Sequence, residues 1–273
     1  MPELPEVETV CRSLRPHLLG RTIERIDVRE PRLRVHVDER QVKKLAGKRV
    51  ESVERVAKYI LLNLSDNNVW LFHLGMSGKL IATERDTPRQ KHDHIAVDLD
   101  DGRQLRYHDP RRFGLAIATH ADELGTLPQL RHLGVDPFDE RLSGEYLFGF
   151  TRASDRRIRD LLLDQQVVAG LGNIYANEVL AMVQVKPTTR ARRLTRKQVG
   201  MIAAAIPELL HDAIQWCGTS FSDYRDADDK SGEFQNHLRV YDRQGETCRR
   251  CPGIIKRVAI GNRSAFYCPA CQK

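Results

Sequence analysis

No apolar run in this 273-residue chain approaches the ~20 residues that a membrane-spanning helix requires. A helical membrane protein is therefore excluded. The first residues, Met-Pro-Glu-Leu-Pro-Glu, are acidic and lack the basic start and apolar stretch of a secretory signal, so a cytoplasmic protein is expected. No internal repeat or low-complexity tract occurs. Cysteine is sparse over most of the length: Cys11 and Cys217 stand apart and read as inert buried thiols. A hydrophobic fraction of 41% and a charged fraction of 30% describe an ordinary globular chain, long enough for two domains with cores of their own.

What is present carries more information. A formal charge of +7 and a pI near 9.2 favour a polyanionic partner. Four of the six cysteines crowd the C-terminus as Cys248-x2-Cys251 and Cys268-x2-Cys271. Paired knuckles at this separation fit a tetrahedral four-cysteine zinc site, with Gly253 to Tyr267 long enough for the hairpin that brings them together. Two disulfides, or a redox pair, are the other readings of four cysteines. Disulfides do not suit this compartment, and redox motifs do not usually come in twos.

The first ~20 residues read as a helix, with Pro2 or Pro5 in the first turn, acids at the positive end of the dipole and Gly20 as the stop. From Thr22 to about Thr119 the pattern becomes strands: Ile23–Val28, Val50–Leu64, Val69–Leu74, Leu80–Ala82 and His94–Leu99, with a hairpin turn at Asp101-Gly102. A helix followed by many short strands suggests a β-sandwich. Turn residues cluster at Gly134–Asp139, and helical spacing follows at Ile158–Val168, Asn173–Val183 and Leu194–Trp216, the last expected to be kinked or divided at Pro207. Thr219–Ser231 has no periodicity and reads as a mobile loop.

Several segments, in order along nearly the whole chain, closely resemble the bacterial formamidopyrimidine-DNA glycosylases. They are Met1-Pro-Glu-Leu-Pro-Glu-Val-Glu-Thr9, Lys58-Tyr59, His73-Leu-Gly-Met-Ser-Gly78, Asp109-Pro-Arg-Arg-Phe-Gly114, Gly170-Leu-Gly-Asn-Ile-Tyr-Ala176 and Arg263 to Lys273. The resemblance implies an α+β multidomain fold: an N-terminal helix and β-sandwich, a helix-two-turn-helix domain, and a C-terminal four-cysteine zinc β-hairpin. The expected boundaries are 1–133, a linker at 134–142, 143–235 with a base-covering loop, and 236–273.

It also implies a bifunctional DNA glycosylase and abasic-site lyase that excises oxidised purines such as 8-oxoguanine by β,δ-elimination. The expected partner is double-stranded DNA carrying oxidised purines or abasic sites, met by a monomer near the bacterial nucleoid. Read alone, Pro-Glu-Leu-Pro-Glu is only a well-started helix. Three chemical facts fit more. An α-amine has a pKa of roughly 8, so part of it is neutral and nucleophilic near pH 7. Proline's secondary amine forms a cationic iminium that needs no protonation to act as an electron sink. Glu3 and Glu6, three apart, share a helix face beside Pro2, and neighbouring carboxylates can be driven to different protonation states. Family analogy makes Glu3 the general acid/base and Glu6 its support, and all of it requires removal of Met1.

The resemblance adds Lys58 to the catalytic group, where the residues alone suggest a solvated lysine. DNA contacts are implied at His73, Met76, His92, Arg111, Phe113, Asn173 and Arg263. Met76 and Phe113 are apolar wedges for the gap left by an extruded base, and Arg111 reaches the orphaned partner. Asn173 is a helix N-cap, a phosphate contact, or both. Arg263 grips the backbone opposite the lesion, held by a single structural zinc ion on Cys248, Cys251, Cys268 and Cys271. His92 and His94 read by themselves as surface histidines, and Arg55 and Arg192-Arg193 as solvated charges. A pyrimidine-directed relative similar to endonuclease VIII, and a non-catalytic zinc-dependent damage binder, are the alternatives. Leu4 and Arg111-Arg112-Phe113 favour the purine enzyme, and the acidic stretch 222–230 departs from the family's loop.

Overall fold

The computed structural model describes residues 1–220 and 225–273. The chain forms two compact units, 1–131 with 216–235, and 132–215 with 236–273. The segment 216–235, expected with the helical domain, thus belongs to the first unit.

The first unit opens with helix α1 (Leu4–Leu18), which has Pro5 in its first turn, where the missing N–H is not needed. Strand β1 (Ile23–Val28), a short helix α2 (Glu39–Lys43), and strands β2 (Val50–Val56), β3 (Tyr59–Leu64), β4 (Asn68–His73), β5 (Lys79–Glu84), β6 (Asp93–Leu99), β7 (Arg103–His108) and β8 (Leu115–His120) follow. They form two four-stranded antiparallel sheets, ordered β1-β6-β7-β5 and β2-β3-β4-β8. The expected sandwich is present.

Alternation fixes its core. Ile60, Leu62 and Leu64 point inward with Trp70, Phe72, Val97 and Leu105, and α1 adds Val7, Val10, Leu14 and Leu18. Leu61, Val69, Leu71 and Leu115 face the other way, into a second apolar layer with Leu124 and Leu127. Strand β4 is therefore buried on both faces. Helix α1 is tied to β2 by Arg15 Nε to the Val53 carbonyl (3.0 Å) and Arg55 Nε to Glu8 Oε2 (3.3 Å). Arg55 is thus a largely buried ion-pair partner rather than a solvated charge.

The second unit is mostly helical: α3 (Gly144–Arg152), α4 (Ile158–Leu162), α5 (Asn173–Met182) and α6 (Arg196–Gln215), then the hairpin β9 (Lys256–Ile260) and β10 (Arg263–Tyr267). Helix α3 lay outside the expectation. It is capped by Ser143, whose hydroxyl accepts the Tyr146 N–H at 3.1 Å. The helix expected over Ile158–Val168 stops at Leu162. Beyond it Asp164 accepts the Gln166 N–H, and Gln165 bonds the carbonyls of Leu163 and Leu171, so side chains replace the helical ladder. Helix α6 runs through Pro207 undivided. An apolar stripe of Val199, Ile202, Ile206, Leu209 and Leu210 holds it against the lost hydrogen bond and ring clash, which together cost about 3 kcal/mol.

Cys11 is buried as expected, but Cys217, at the turn after α6, is exposed. The stretch expected to be a mobile loop is in part anchored. Asp226 accepts the N–H groups of Asp228 and Lys230, while Ala227 donates to Ser13 Oγ (3.0 Å) and accepts from Ala82 (3.1 Å). Ser222, Asp223 and Tyr224 of the acidic stretch lie outside the described residues.

Candidate active site and nucleic-acid interface

Pro2, Glu3 and Glu6 are all buried at the start of α1. Glu6 Oε2 accepts the Glu3 N–H at 2.7 Å, closing a capping box that fixes the residue following Pro2. Lys58 occupies the two-residue turn between β2 and β3, closed by the Val56–Tyr59 pair, with Ala57 at φ 52°. The lysine is only 7% exposed, so the solvated reading does not hold.

Register then brings β4 into play. Tyr59 pairs with His73, their rings 5.0 Å apart. His73 Nδ1 accepts the Gly75 N–H at 2.9 Å, which leaves the neutral ring's proton on Nε2. Burial, then the positive charges of Arg34, Lys58 and the chain's amino terminus, push the His73 pKa down to about 4. The amino terminus that bears on His73 here is that of Met1.

Past His73 the chain leaves the sheet, and Met76 stands 43% exposed. Phe113, on the loop before β8, is 46% exposed. Arg111 lies with its guanidinium 4.7 Å from the Phe113 ring centre. Gly75 has φ +61°, and a Cβ there would sit 2.5 Å from the Phe113 carbonyl carbon, so only glycine lets the two loops touch.

His92, His94 and His108 stand edge to face, ring centres 6.0 and 5.9 Å apart. Partial desolvation and then neighbouring positive charge, Lys91 foremost, lower the His92 pKa. His94 is buried, with Nε2 donating to the Asp109 carbonyl at 2.7 Å, so it is not a surface histidine. Among the described residues the terminal cysteines are the one group placed to hold a metal ion.

In the second unit Gly172, not Asn173, is the N-cap of α5. Asn173 instead donates through Nδ2 to the Ser264 carbonyl (3.0 Å) at the start of β10. Arg159, 1% exposed, reaches the Ser264 and Ile260 carbonyls (3.3 and 3.1 Å), Asn173 Oδ1 (3.3 Å) and Asp160. Those two carbonyls flank the turn Gly261-Asn262 that precedes Arg263. A cleft of about 450 Å³ runs there, lined by Arg156, Arg159, Asp160 and Arg263 among others. Glu178, fully buried on α5, accepts the N–H groups of Arg239, Val240 and Tyr241 at 2.6–2.9 Å and so anchors the approach to the hairpin. Burial pushes its carboxyl up, against the pull of those three donors.

The four cysteine sulfurs lie within 4.8 Å of one another. The Arg250 and Gly253 amides each approach a cysteine sulfur at 3.4 Å. A Cβ at Gly253 would lie 3.1–3.2 Å from two of the sulfurs. Four thiolates in a closed shell, steadied by N–H donors, fit zinc.

Arg159, Glu178 and Asp109 escape a reading of the sequence. An arginine or glutamate on a helix reads as solvated, and only the motif around Asp109 hinted at a role for it.

Comparison with known proteins agrees segment by segment. Residues 1–116 match the formamidopyrimidine-DNA glycosylase N-terminal domain, 133–225 its H2TH domain, and 245–273 the zinc finger found in FPG and IleRS. The formamidopyrimidine-DNA glycosylases of Laribacter hongkongensis and Hahella chejuensis are 45% and 42% identical, each over the whole of both chains. A Lactococcus lactis Fpg mutant bound to Fapy-dG-containing DNA superposes with a TM-score of 0.93 at 34% identity, covering all of both chains. The L. lactis enzyme with abasic-site DNA gives 0.92 at 34%, covering 99% of each. With three domain models in order and full-length relatives above 40% identity, the chain belongs to the formamidopyrimidine-DNA glycosylase family.

Proposed function

We propose that this protein is a bifunctional DNA glycosylase and abasic-site lyase of base excision repair, with Pro2 as nucleophile and oxidised purines as substrates. Membership of the family supports the activity. The observation that carries the assignment to Pro2 is its burial beside the Glu3–Glu6 capping box.

Once Met1 is removed, the secondary amine attacks C1′. The glycosidic bond breaks with its electron pair on the departing purine, which takes up the proton that the attacking amine sheds. Glu3 protonates the ring oxygen as the sugar opens, leaving an iminium. That cation acidifies the C2′ hydrogen, and its loss expels the 3′ phosphate. A second proton loss expels the 5′ phosphate. Lys58, buried at the β2–β3 turn, suits a phosphate or lesion contact. Met76 and Phe113 fill the stack and Arg111 reaches the orphaned partner base, while Asn173 and Arg263 hold the backbone. His73 and His92 complete the DNA contacts on the sandwich. One zinc ion on Cys248, Cys251, Cys268 and Cys271 is structural, because the cysteines fill all four positions.

The reading places the protein as a monomer on double-stranded DNA in the bacterial cytoplasm. Among the described residues no helix is long and apolar enough to cross a membrane.

The test is borohydride trapping of the Met1-free protein on duplex DNA with 8-oxoguanine opposite cytosine. An adduct at Pro2, absent from Pro2→Gly while DNA binding persists, is expected. An adduct only with an oxidised pyrimidine would replace the purine assignment by that of an endonuclease VIII-like enzyme. Tight binding with no adduct would leave a damage-binding protein.

A further inference from the structure

Asp109 is fully buried and has no part in the contacts assigned above to DNA. Oδ1 accepts the Ser77 hydroxyl at 2.7 Å, and Oδ2 accepts the Gly114 N–H at 2.9 Å. Ser77 directly follows Met76, and Gly114 directly follows Phe113. One carboxylate therefore grips the residue after each exposed apolar side chain. Ser77 Oγ also accepts the Arg111 N–H at 3.3 Å, so the loops of both wedge residues and of Arg111 converge on this pair.

The grip is itself held. The Asp109 carbonyl accepts His94 Nε2 (2.7 Å) and the Arg112 N–H (3.2 Å), and its own N–H donates to the His92 carbonyl (3.1 Å). Arg112 lies in the left-handed region at φ 56°, where a non-glycine residue stays only if its surroundings fix it. A Cβ at Gly114 would fall 1.7 Å from the Tyr107 hydroxyl, which also bonds the His73 carbonyl at 3.1 Å. There is no room for one loop to slide past the other.

We propose that Asp109 is the positioning residue that locks the wedge residues Met76 and Phe113, and Arg111 beside them, into one rigid unit. An apolar side chain on an unrestrained loop loses conformational freedom each time it enters the base stack. A wedge whose loops are already locked together does not. The inference rests on the assignment of Met76, Arg111 and Phe113 to the duplex.

The experiment uses the full-length, Met1-free protein and a duplex with 2-aminopurine beside 8-oxoguanine, read by stopped-flow fluorescence for base extrusion and by gel for strand cleavage. Ser77→Ala removes a single hydroxyl and is the primary variant. Asp109→Asn, whose NH2 group would oppose one of the two donors, is the second. Both are expected to slow extrusion and excision by about tenfold or more, while cleavage at a preformed abasic site in the same duplex stays within about threefold. Equal loss at both substrates, or no loss at either, overturns the proposal. Met76→Ala and Phe113→Ala separate it from its premise. If they too leave extrusion unchanged, the wedge assignment itself fails; if they slow it while Ser77→Ala and Asp109→Asn do not, only the clamp fails.

Discussion

Glu6 Oε1 accepts the Thr219 N–H at 2.7 Å, joining the first turn of α1 to a segment 213 residues further along the chain. The other oxygen of the same carboxylate holds the Glu3 N–H. Gly218, at φ +77°, brings the backbone so close that a Cβ would lie 2.8 Å from Glu6 Oε1. One buried carboxylate thus fixes both the residue after Pro2 and the base of the 216–235 segment. In Glu6→Gln the amide oxygen serves one N–H donor and its NH2 group faces the other. A loss of about 1–3 kcal/mol is expected, with a lower yield of trapped adduct. Urea denaturation and borohydride trapping on the same preparation check this, and unchanged stability would show that the carboxylate's charge is not needed there.

The sandwich was legible in the residues because its strands alternate. Ile23–Val28 is a strand with the bounds read from the sequence, and Asp101-Gly102 lies at the hairpin between β6 and β7. Helix α3 was hidden by its glycines, one of which, Gly144, packs against Gly200 so tightly that a Cβ would lie 2.9 Å from the latter's Cα. Motif residues such as Pro2, Met76 and Arg263 could be singled out because their segments resemble those of a known family. The groups that hold them could not. Asp109 meets Ser77 across 32 residues and Arg159 meets Ser264 across 105, so their local sequence carries no mark of the contact.

His73 gives the stability a specific pH dependence. Its pKa is about 4 in the folded protein against roughly 6.5 when exposed. The unfolded chain therefore binds more protons between these values, and stability falls as the pH drops from 6.5 to 4. The stabilisation is fully present above 6.5, and the fall amounts to about 3 kcal/mol. Asn at position 73 keeps an acceptor for the Gly75 amide without the titrating ring. Denaturation midpoints across pH 4–7.5 should slope less in His73→Asn than in the parent; parallel curves would assign the slope to other groups.

Zinc should act through the hairpin rather than the amine. Chelation, or Cys268→Ser, is expected to weaken binding to a lesion duplex and reduce its salt dependence by about one ion, the share of the Arg263 contact. The circular dichroism of the sandwich should change little. Metal content measured beside anisotropy titrations tests this, and full affinity in a zinc-free sample would remove the hairpin from DNA binding.

Arg159 should matter to DNA binding without touching DNA. Its buried guanidinium holds the carbonyls on both sides of the turn before Arg263 and also the side chain of Asn173. Removing it leaves those carbonyls short of a charged donor, and such bonds contribute about 1.5–3 kcal/mol each. Arg159→Ala is therefore expected to weaken duplex binding about as much as Arg263→Ala and to lower the salt slope by about one, although the lost charge is itself shielded from solvent. The double variant should be little worse than either single one, because both act on one contact. Titrations of the four proteins over a range of salt concentrations decide it. Additive losses would mean that Arg159 contributes through a contact of its own, and that the turn holds Arg263 in place without it.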